Sequence, residues 1–103
     1  MNRVVYAPEA ETQLVALYFH IAAAASPEIA ARYTGAILEQ CESLKSFPMQ
    51  GTRRDDIRPG LRVIGFRRRV RIAFEVTGEV ATILGIFYGG QDFEAAFDEE
   101  RFE

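Results

Sequence analysis

Two stretches in the first half of the chain repeat apolar residues at the spacing of an amphipathic helix. The first follows Pro8 and places four apolar side chains on one stripe, Leu14, Leu17, Tyr18 and Ile21. The second ends before Pro48 and carries five along one face, Ile29, Tyr33, Ile37, Cys41 and Leu44. Between them, Ser26 has the residue type of a helix N-cap, with Pro27 following as the first helical residue. Two helices joined by so short a connection are expected to fold back as a helical hairpin.

Strand patterns lie on either side of the two helices. A short strand is predicted at Arg3–Tyr6, where β-branched residues stand at the centre. After an irregular stretch at 47–60, further strands are predicted at 61–66, 69–76 and 80–88. The second of these has the clearest alternation, with four apolar residues at every other position, Val70, Ile72, Phe74 and Val76. The third is apolar at nearly every position, which is typical of a central strand covered on both sides.

These elements predict an α+β fold in the order β-α-α-β-β-β, with the helical hairpin packed on one face of a small, mainly antiparallel sheet. The length of 103 residues predicts a single domain, with a core at 1–90 and an acidic tail at 91–103. The hairpin should cover the face that bears Val70 and Phe74. Arg69 and Arg71 should then project from the other, uncovered face, and Arg62 joins them only if its strand has the matching register.

The charges are distributed unevenly along the chain. Eight of the eleven arginines lie at 53–71, here called the arginine segment, against only Asp55 and Asp56, so this segment carries +6. The whole chain carries −3, which leaves −9 for the remainder. Concentrated like charge costs stability through self-repulsion, so the pattern predicts a surface for an anionic partner. Guanidinium groups bind carboxylate or phosphate in a bidentate manner. The alternative is that these arginines only solvate exposed strands and loops.

The composition also argues against several classes of protein. One cysteine, Cys41, cannot form an internal disulfide, and one histidine, His20, lacks the partners of a zinc site, so no metal or cofactor is expected. No run approaches the roughly 18 consecutive apolar residues of a membrane-spanning helix. The first residues have neither the apolar region nor the cleavage site of a secretory signal. A cytoplasmic protein without a membrane partner is therefore predicted.

Three motifs, taken in order, resemble the ParE toxins of the RelE/ParE superfamily. After the helical hairpin come Phe47-Pro48-Met49-Gln50-Gly51 and Arg58-Pro59-Gly60-Leu61-Arg62, and the last strand closes with Ile86-Phe87-Tyr88-Gly89-Gly90-Gln91-Asp92. The resemblance implies the toxin of a type II toxin–antitoxin system, bound and neutralised in a hetero-oligomer by a ParD-like antitoxin. It also implies inhibition of DNA gyrase, and contact with operator DNA only through the antitoxin. The RelE-like branch shares the fold but cuts messenger RNA on the ribosome.

The residue types favour binding over catalysis. Cleavage of RNA needs a general acid or base tuned near neutral pH, together with cations that stabilise the transition state. Arginines satisfy the second requirement, but His20 is predicted to be remote from the arginine face. Tyr88 ends the last strand, where RelE-like enzymes often carry a catalytic aromatic residue or histidine, although packing is its simpler role.

No catalytic residue is therefore predicted, and the chain is not expected to be an enzyme. Glu75 is interpreted as an ion-pair partner of Arg71 or Arg62. The alternatives are a RelE-like messenger RNA endonuclease and a non-toxic nucleic-acid-binding relative. The residues expected to bind the antitoxin or the target are Arg53, Arg54, Arg58, Arg62, Arg67, Arg69, Arg71 and Tyr88.

Overall fold

The computed structural model describes residues 3–89 as two helices on one five-stranded sheet. In chain order, the elements are β1 (Arg3–Tyr6), α1 (Pro8–Ala24), α2 (Pro27–Glu42), a 3-10 turn (Ser43–Lys45), β2 (Thr52–Arg53), β3 (Arg62–Phe66), β4 (Val70–Thr77) and β5 (Val80–Tyr88). The α+β fold and the helical hairpin predicted from the sequence are confirmed. The predicted acidic tail at 91–103 lies outside the described residues. Within residues 3–89, no helix is both long enough and apolar enough to cross a membrane.

The helix boundaries follow from local chemistry. Pro8 stands at the start of α1, and two carboxylates in the first turn, Glu9 and Glu11, oppose the positive end of the helix dipole. At the start of α2, the Ser26 hydroxyl accepts a hydrogen bond of 3.1 Å from the Ile29 N–H, which confirms the predicted N-cap. Because only two residues separate the helices, they pack against each other as the hairpin.

The strands lie in the order β1-β5-β4-β3-β2, and β1 pairs with β5 in parallel while all other pairs are antiparallel. The short β2 lies in the stretch that the sequence predicts to be irregular, and it pairs Thr52 and Arg53 with the start of β3. The register of β4 against β5 shifts between Ala73 and Phe74 and leaves Leu84 as an extra residue.

The main core lies between the helices and one face of the sheet. Phe74 and Ile72 from β4 are fully buried there with Ile83 from β5 and Ile37 from α2. Cys41 belongs to the same core, and burial raises the pKa of its thiol to about 12, so it is a small core residue as predicted.

One residue of the predicted α2 stripe is placed wrongly. Ile29 is 46% exposed, whereas Ala30 is fully buried. The buried stripe of α2 begins at Ala30 and continues through Thr34, Ile37 and Cys41, at the spacing i, i+4, i+7 and i+11. Ile29 lies beside this stripe in the first turn of α2 and faces solvent.

The opposite face of the sheet has a second, smaller core. Ala73 and Phe87 from the sheet are buried there together with Ile57 and Leu61 from the preceding loop. The loop is closed by the Arg54 N–H, which donates to the Leu61 carbonyl at 2.8 Å. The prediction that this face is uncovered is therefore wrong at its centre, because the 54–61 loop folds back over it.

Candidate functional site

The first arginines of the arginine segment are engaged by neighbouring carboxylates. The Arg53 guanidinium lies 2.8 Å from the Asp55 carboxylate. The Arg54 guanidinium donates two hydrogen bonds of 3.0 Å to the two oxygens of the Asp56 carboxylate. Hydrogen bonding to the Arg54 guanidinium lowers the pKa of the Asp56 carboxyl. These pairs are exposed, so each contributes little to stability. They neutralise two of the eight arginines, and the +6 of the segment therefore rests on the other six.

Arg58 lies 3.9 Å from Glu75 on the face of the second core. This pair replaces the interpretation of Glu75 as a partner of Arg71 or Arg62. The carboxylate is therefore engaged by the loop rather than by a neighbouring strand.

Arg62 does not join the other arginines. It pairs with Phe74 across the β3–β4 ladder, and directly opposite residues share one face, so Arg62 projects toward the helix side. Its guanidinium donates to the carbonyl of Met49 at 2.6 Å and to that of Gln50 at 3.0 Å. Arg62 thus ties the 49–51 loop to β3. The matching register that would bring it to Arg69 and Arg71 is not the one observed, and its part in partner binding stays a prediction.

Residues 67–69, here called the arginine turn, connect β3 to β4. The Arg69 N–H donates to the Phe66 carbonyl at 3.1 Å, and both central residues have positive φ, 49° at Arg67 and 60° at Arg68. This is the geometry of a type I′ turn, which Asn and Gly usually occupy because other residues are strained there. Arg69 therefore lies in the turn and not, as predicted, on the strand.

The arginine turn presents three exposed side chains at one end of the sheet. The guanidinium of Arg67 stacks over the rings of Phe66 and Tyr33, at 4.9 and 5.5 Å from the centroids. Within residues 3–89, neither Arg68 nor Arg69 has an acidic partner. Arg71 emerges beside them from β4, and a concavity of about 210 Å³ is lined by Arg68, Arg69 and Arg71 with Gly65, Val70 and Gly89. The predicted cluster of arginines is thus confined to this end of the sheet.

Tyr88 and His20 meet on the helix side of the same end. Tyr88 pairs with Val70 across the ladder and so faces the helices, where its ring centroid lies 5.6 Å from that of His20. His20 thus lies on the helix side of the sheet, and its neighbour Tyr88 ends the strand that adjoins the arginine turn. The Gly89 N–H donates to the Arg69 carbonyl at 2.8 Å.

These two rings belong to a pocket between α1 and β5, here called the aromatic pocket. It has a volume of about 330 Å³ and is lined by Gln13, Ala16, Leu17, His20, Ile86 and Tyr88. The Gln13 side-chain oxygen accepts a 2.7 Å hydrogen bond from the Ile86 N–H and so occupies the irregularity in β5. The sequence analysis missed this pocket, although positions 13, 16, 17 and 20 have helical spacing.

A buried hydroxyl lies near the aromatic pocket. The Tyr33 hydroxyl has no hydrogen-bond partner within the described part of the chain, and its ring packs edge-on against Phe66 at 5.6 Å. Burial raises the pKa of Tyr33, and the proximity of Tyr88 raises it further. No cluster of metal-ligating side chains occurs among residues 3–89, and no carboxylate lines the aromatic pocket.

Replacing Arg68 with glycine should raise the free energy of unfolding by roughly 0.5–1 kcal/mol. An L residue at positive φ is strained by roughly 1–2 kcal/mol, and glycine avoids this strain. Glycine loses more backbone entropy on folding, but that cost is smaller than the strain removed. Urea denaturation measures the change.

Arg69→Gly is the matched control, because it removes the same charge from the same turn at a residue without positive φ. It should lower the free energy of unfolding by roughly 0.5–1 kcal/mol. Equal effects of the two substitutions would show that the turn is not strained.

Comparison with known proteins places the whole described chain in one group. A family profile described as "ParE toxin of type II toxin-antitoxin system, parDE" matches residues 4–93. A solved structure titled "Chromosomal ParDE TA system from P. aeruginosa" is similar, with 29% sequence identity and a TM-score of 0.76. The alignment covers 86% of this chain and 97% of that one. No curated protein matches the chain.

Proposed function

Because the chain belongs to the ParE family of type II toxins, we propose that it is neutralised by a ParD-like antitoxin and that it inhibits DNA gyrase by binding. The two proteins would form a hetero-oligomer in the cytoplasm, and contact with operator DNA would come only through the antitoxin. The chain would act without a cofactor and without catalysing a reaction.

The observation that carries this proposal is the arginine turn. Two consecutive arginines adopt positive φ, although Asn or Gly would make a less strained turn. Strain of this kind, where the surroundings maintain it, is a sign of function. Exposed guanidinium groups without acidic partners suit an acidic protein segment, and they would speed its association by electrostatic steering.

The surroundings of His20 and Tyr88 favour a RelE-like nuclease as the second candidate. An imidazole, a phenol and the arginine turn lie close together, as acid–base chemistry on RNA would need. Against it, no hydrogen bond orients the exposed His20 imidazole within the described residues, whereas a catalytic base is normally held by a third group. Binding therefore remains the better-supported function.

The purified toxin should inhibit supercoiling by gyrase or trap the cleaved DNA complex, and its expression should arrest replication while messenger RNA stays uncut. The double variant H20A/Y88F distinguishes the two candidates. If the protein acts by binding gyrase through the arginines, this variant should retain inhibition within a few-fold. If it is a nuclease, loss of acid–base groups should lower the rate by about 10²–10⁴.

A control in the supercoiling assay tests whether the antitoxin reverses the inhibition of gyrase. Addition of the antitoxin encoded beside the toxin should restore gyrase activity. Cleavage of translated messages by the wild-type protein, absent in the double variant, would overturn the gyrase proposal.

A further inference from the structure

The aromatic pocket has the size and chemistry of a site for one partner side chain. Its volume of about 330 Å³ is at the lower end of the roughly 300–1,000 Å³ typical of ligand pockets. Leu17 and Ile86 supply a buried apolar floor, and Ala16 leaves room at the helix side. The rings of His20 and Tyr88 form a wall against which a second aromatic ring can pack edge-on or offset.

The charges around the pocket indicate that a partner segment should be negatively charged. The stretch 12–25 of the sequence, which includes all of α1 that lines the pocket, contains no charged residue. The arginine turn lies at this end of the sheet and is joined to the end of β5 by the Gly89–Arg69 backbone hydrogen bond of 2.8 Å. Because Arg68 and Arg69 have no acidic partner within residues 3–89, a carboxylate-rich segment complements this end of the molecule.

We propose that the aromatic pocket anchors one aromatic or leucine side chain of an acidic partner segment, whose flanking carboxylates pair with Arg68 and Arg69. This deepens the proposed function and rests on it, since the segment belongs to the antitoxin. A buried apolar anchor next to charge-assisted hydrogen bonds is the common arrangement of a binding hot spot.

The first experiment tests the pocket without any antitoxin. The isotope-labelled toxin is titrated with a hexapeptide of sequence Glu-Glu-Leu-Phe-Glu-Glu and followed by NMR. Signals of Ala16 and His20 should shift, together with those of the arginine turn. A control peptide with two alanines in place of Leu-Phe should shift only the arginine turn, and a version with lysine in place of glutamate should shift neither. Shifts confined to other surfaces, or equal shifts with the alanine peptide, would overturn the proposal.

The second experiment uses the intact antitoxin and a variant that fills the pocket. Ala16→Trp places a large side chain in the pocket from an exposed helical position. It should weaken antitoxin binding at least tenfold in calorimetry. Val15→Trp, at a position 55% exposed on the same helix but on the face away from the pocket, should bind within twofold of the wild type. Unfolding curves for both variants confirm that each is folded.

The outcomes separate this inference from the proposed function. If Ala16→Trp binds the antitoxin as tightly as the wild type, the pocket is not the anchor, although the toxin–antitoxin pairing stands. If the wild type itself does not bind the antitoxin, the proposed function fails, and the peptide titration still decides what the pocket binds. Displacement of the acidic peptide by single-stranded DNA, with the same signals shifted, would assign the site to nucleic acid instead.

Discussion

Phe74→Ala should lower the free energy of unfolding by roughly 3–5 kcal/mol, the range for truncating a buried phenylalanine. Phe74 is fully buried in the main core, where β4 faces the helical hairpin. Its removal loses the transfer free energy of the ring and leaves a cavity, because tightly packed neighbours relax only partly. Urea denaturation of the purified protein measures the change.

Phe19→Ala is the matched control for this prediction. The substitution is chemically identical, but Phe19 is 65% exposed on α1. It should alter the free energy of unfolding by only about 0.5 kcal/mol, as is usual for surface positions. Arg69→Ala should be similarly close to neutral. Equal destabilisation by Phe74→Ala and Phe19→Ala would mean that the face of β4 toward the helices has been assigned wrongly.

Gly51→Ala should lower the free energy of unfolding by roughly 2–4 kcal/mol, because two separate penalties combine. Gly51 has a φ of +79°, which strains an L side chain, and an added Cβ would lie 2.5 Å from the Val63 carbonyl oxygen. That oxygen belongs to the backbone of β3 and cannot rotate away. The substitution should therefore detach the loop that Arg62 holds through the carbonyls of Met49 and Gln50.

Gly60→Ala separates the two penalties. Gly60 has nearly the same φ, +82°, but nothing lies within 4 Å of an added Cβ. Only the backbone penalty of about 1–2 kcal/mol should remain. If unfolding measurements give the same loss for both substitutions, then β3 moves to accommodate the side chain at Gly51 and the loop is not tightly held.

Local sequence features were sufficient for the two helices and the four longer strands, although not for the two-residue β2. Ser26 and Pro27 mark the start of α2 because N-capping and the fixed φ of proline act within one turn. The alternation around Phe74 identifies the covered face of β4 because successive side chains of a strand point to opposite faces. The concentration of arginine between 53 and 71 likewise follows from the sequence alone, as does the resemblance to ParE toxins.

Features that depend on strand pairing or packing between distant parts of the sequence could not be predicted from local patterns. Arg62 faces the helices because β3 pairs with β4 in one register, and a shift of one residue would reverse it. The second core exists because a loop without any strand or helix pattern folds over Ala73 and Phe87. Ile29 is exposed because the docking of α2 buries the stripe that begins at Ala30 instead.

The candidate site likewise combines features that the sequence predicts with features that only the tertiary structure decides. The sequence determined that many arginines occur close together and that Tyr88 ends a strand. Only the tertiary structure decided which arginines face solvent without a partner. Arg53 and Arg54 pair with neighbouring carboxylates, whereas Arg58 and Arg62 are held by groups distant in the sequence. It also brought His20 to Tyr88, 68 positions later in the sequence, and so formed the aromatic pocket. The physical reason is that side-chain chemistry and periodicity are local properties, whereas strand register and helix docking arise from packing of the whole core.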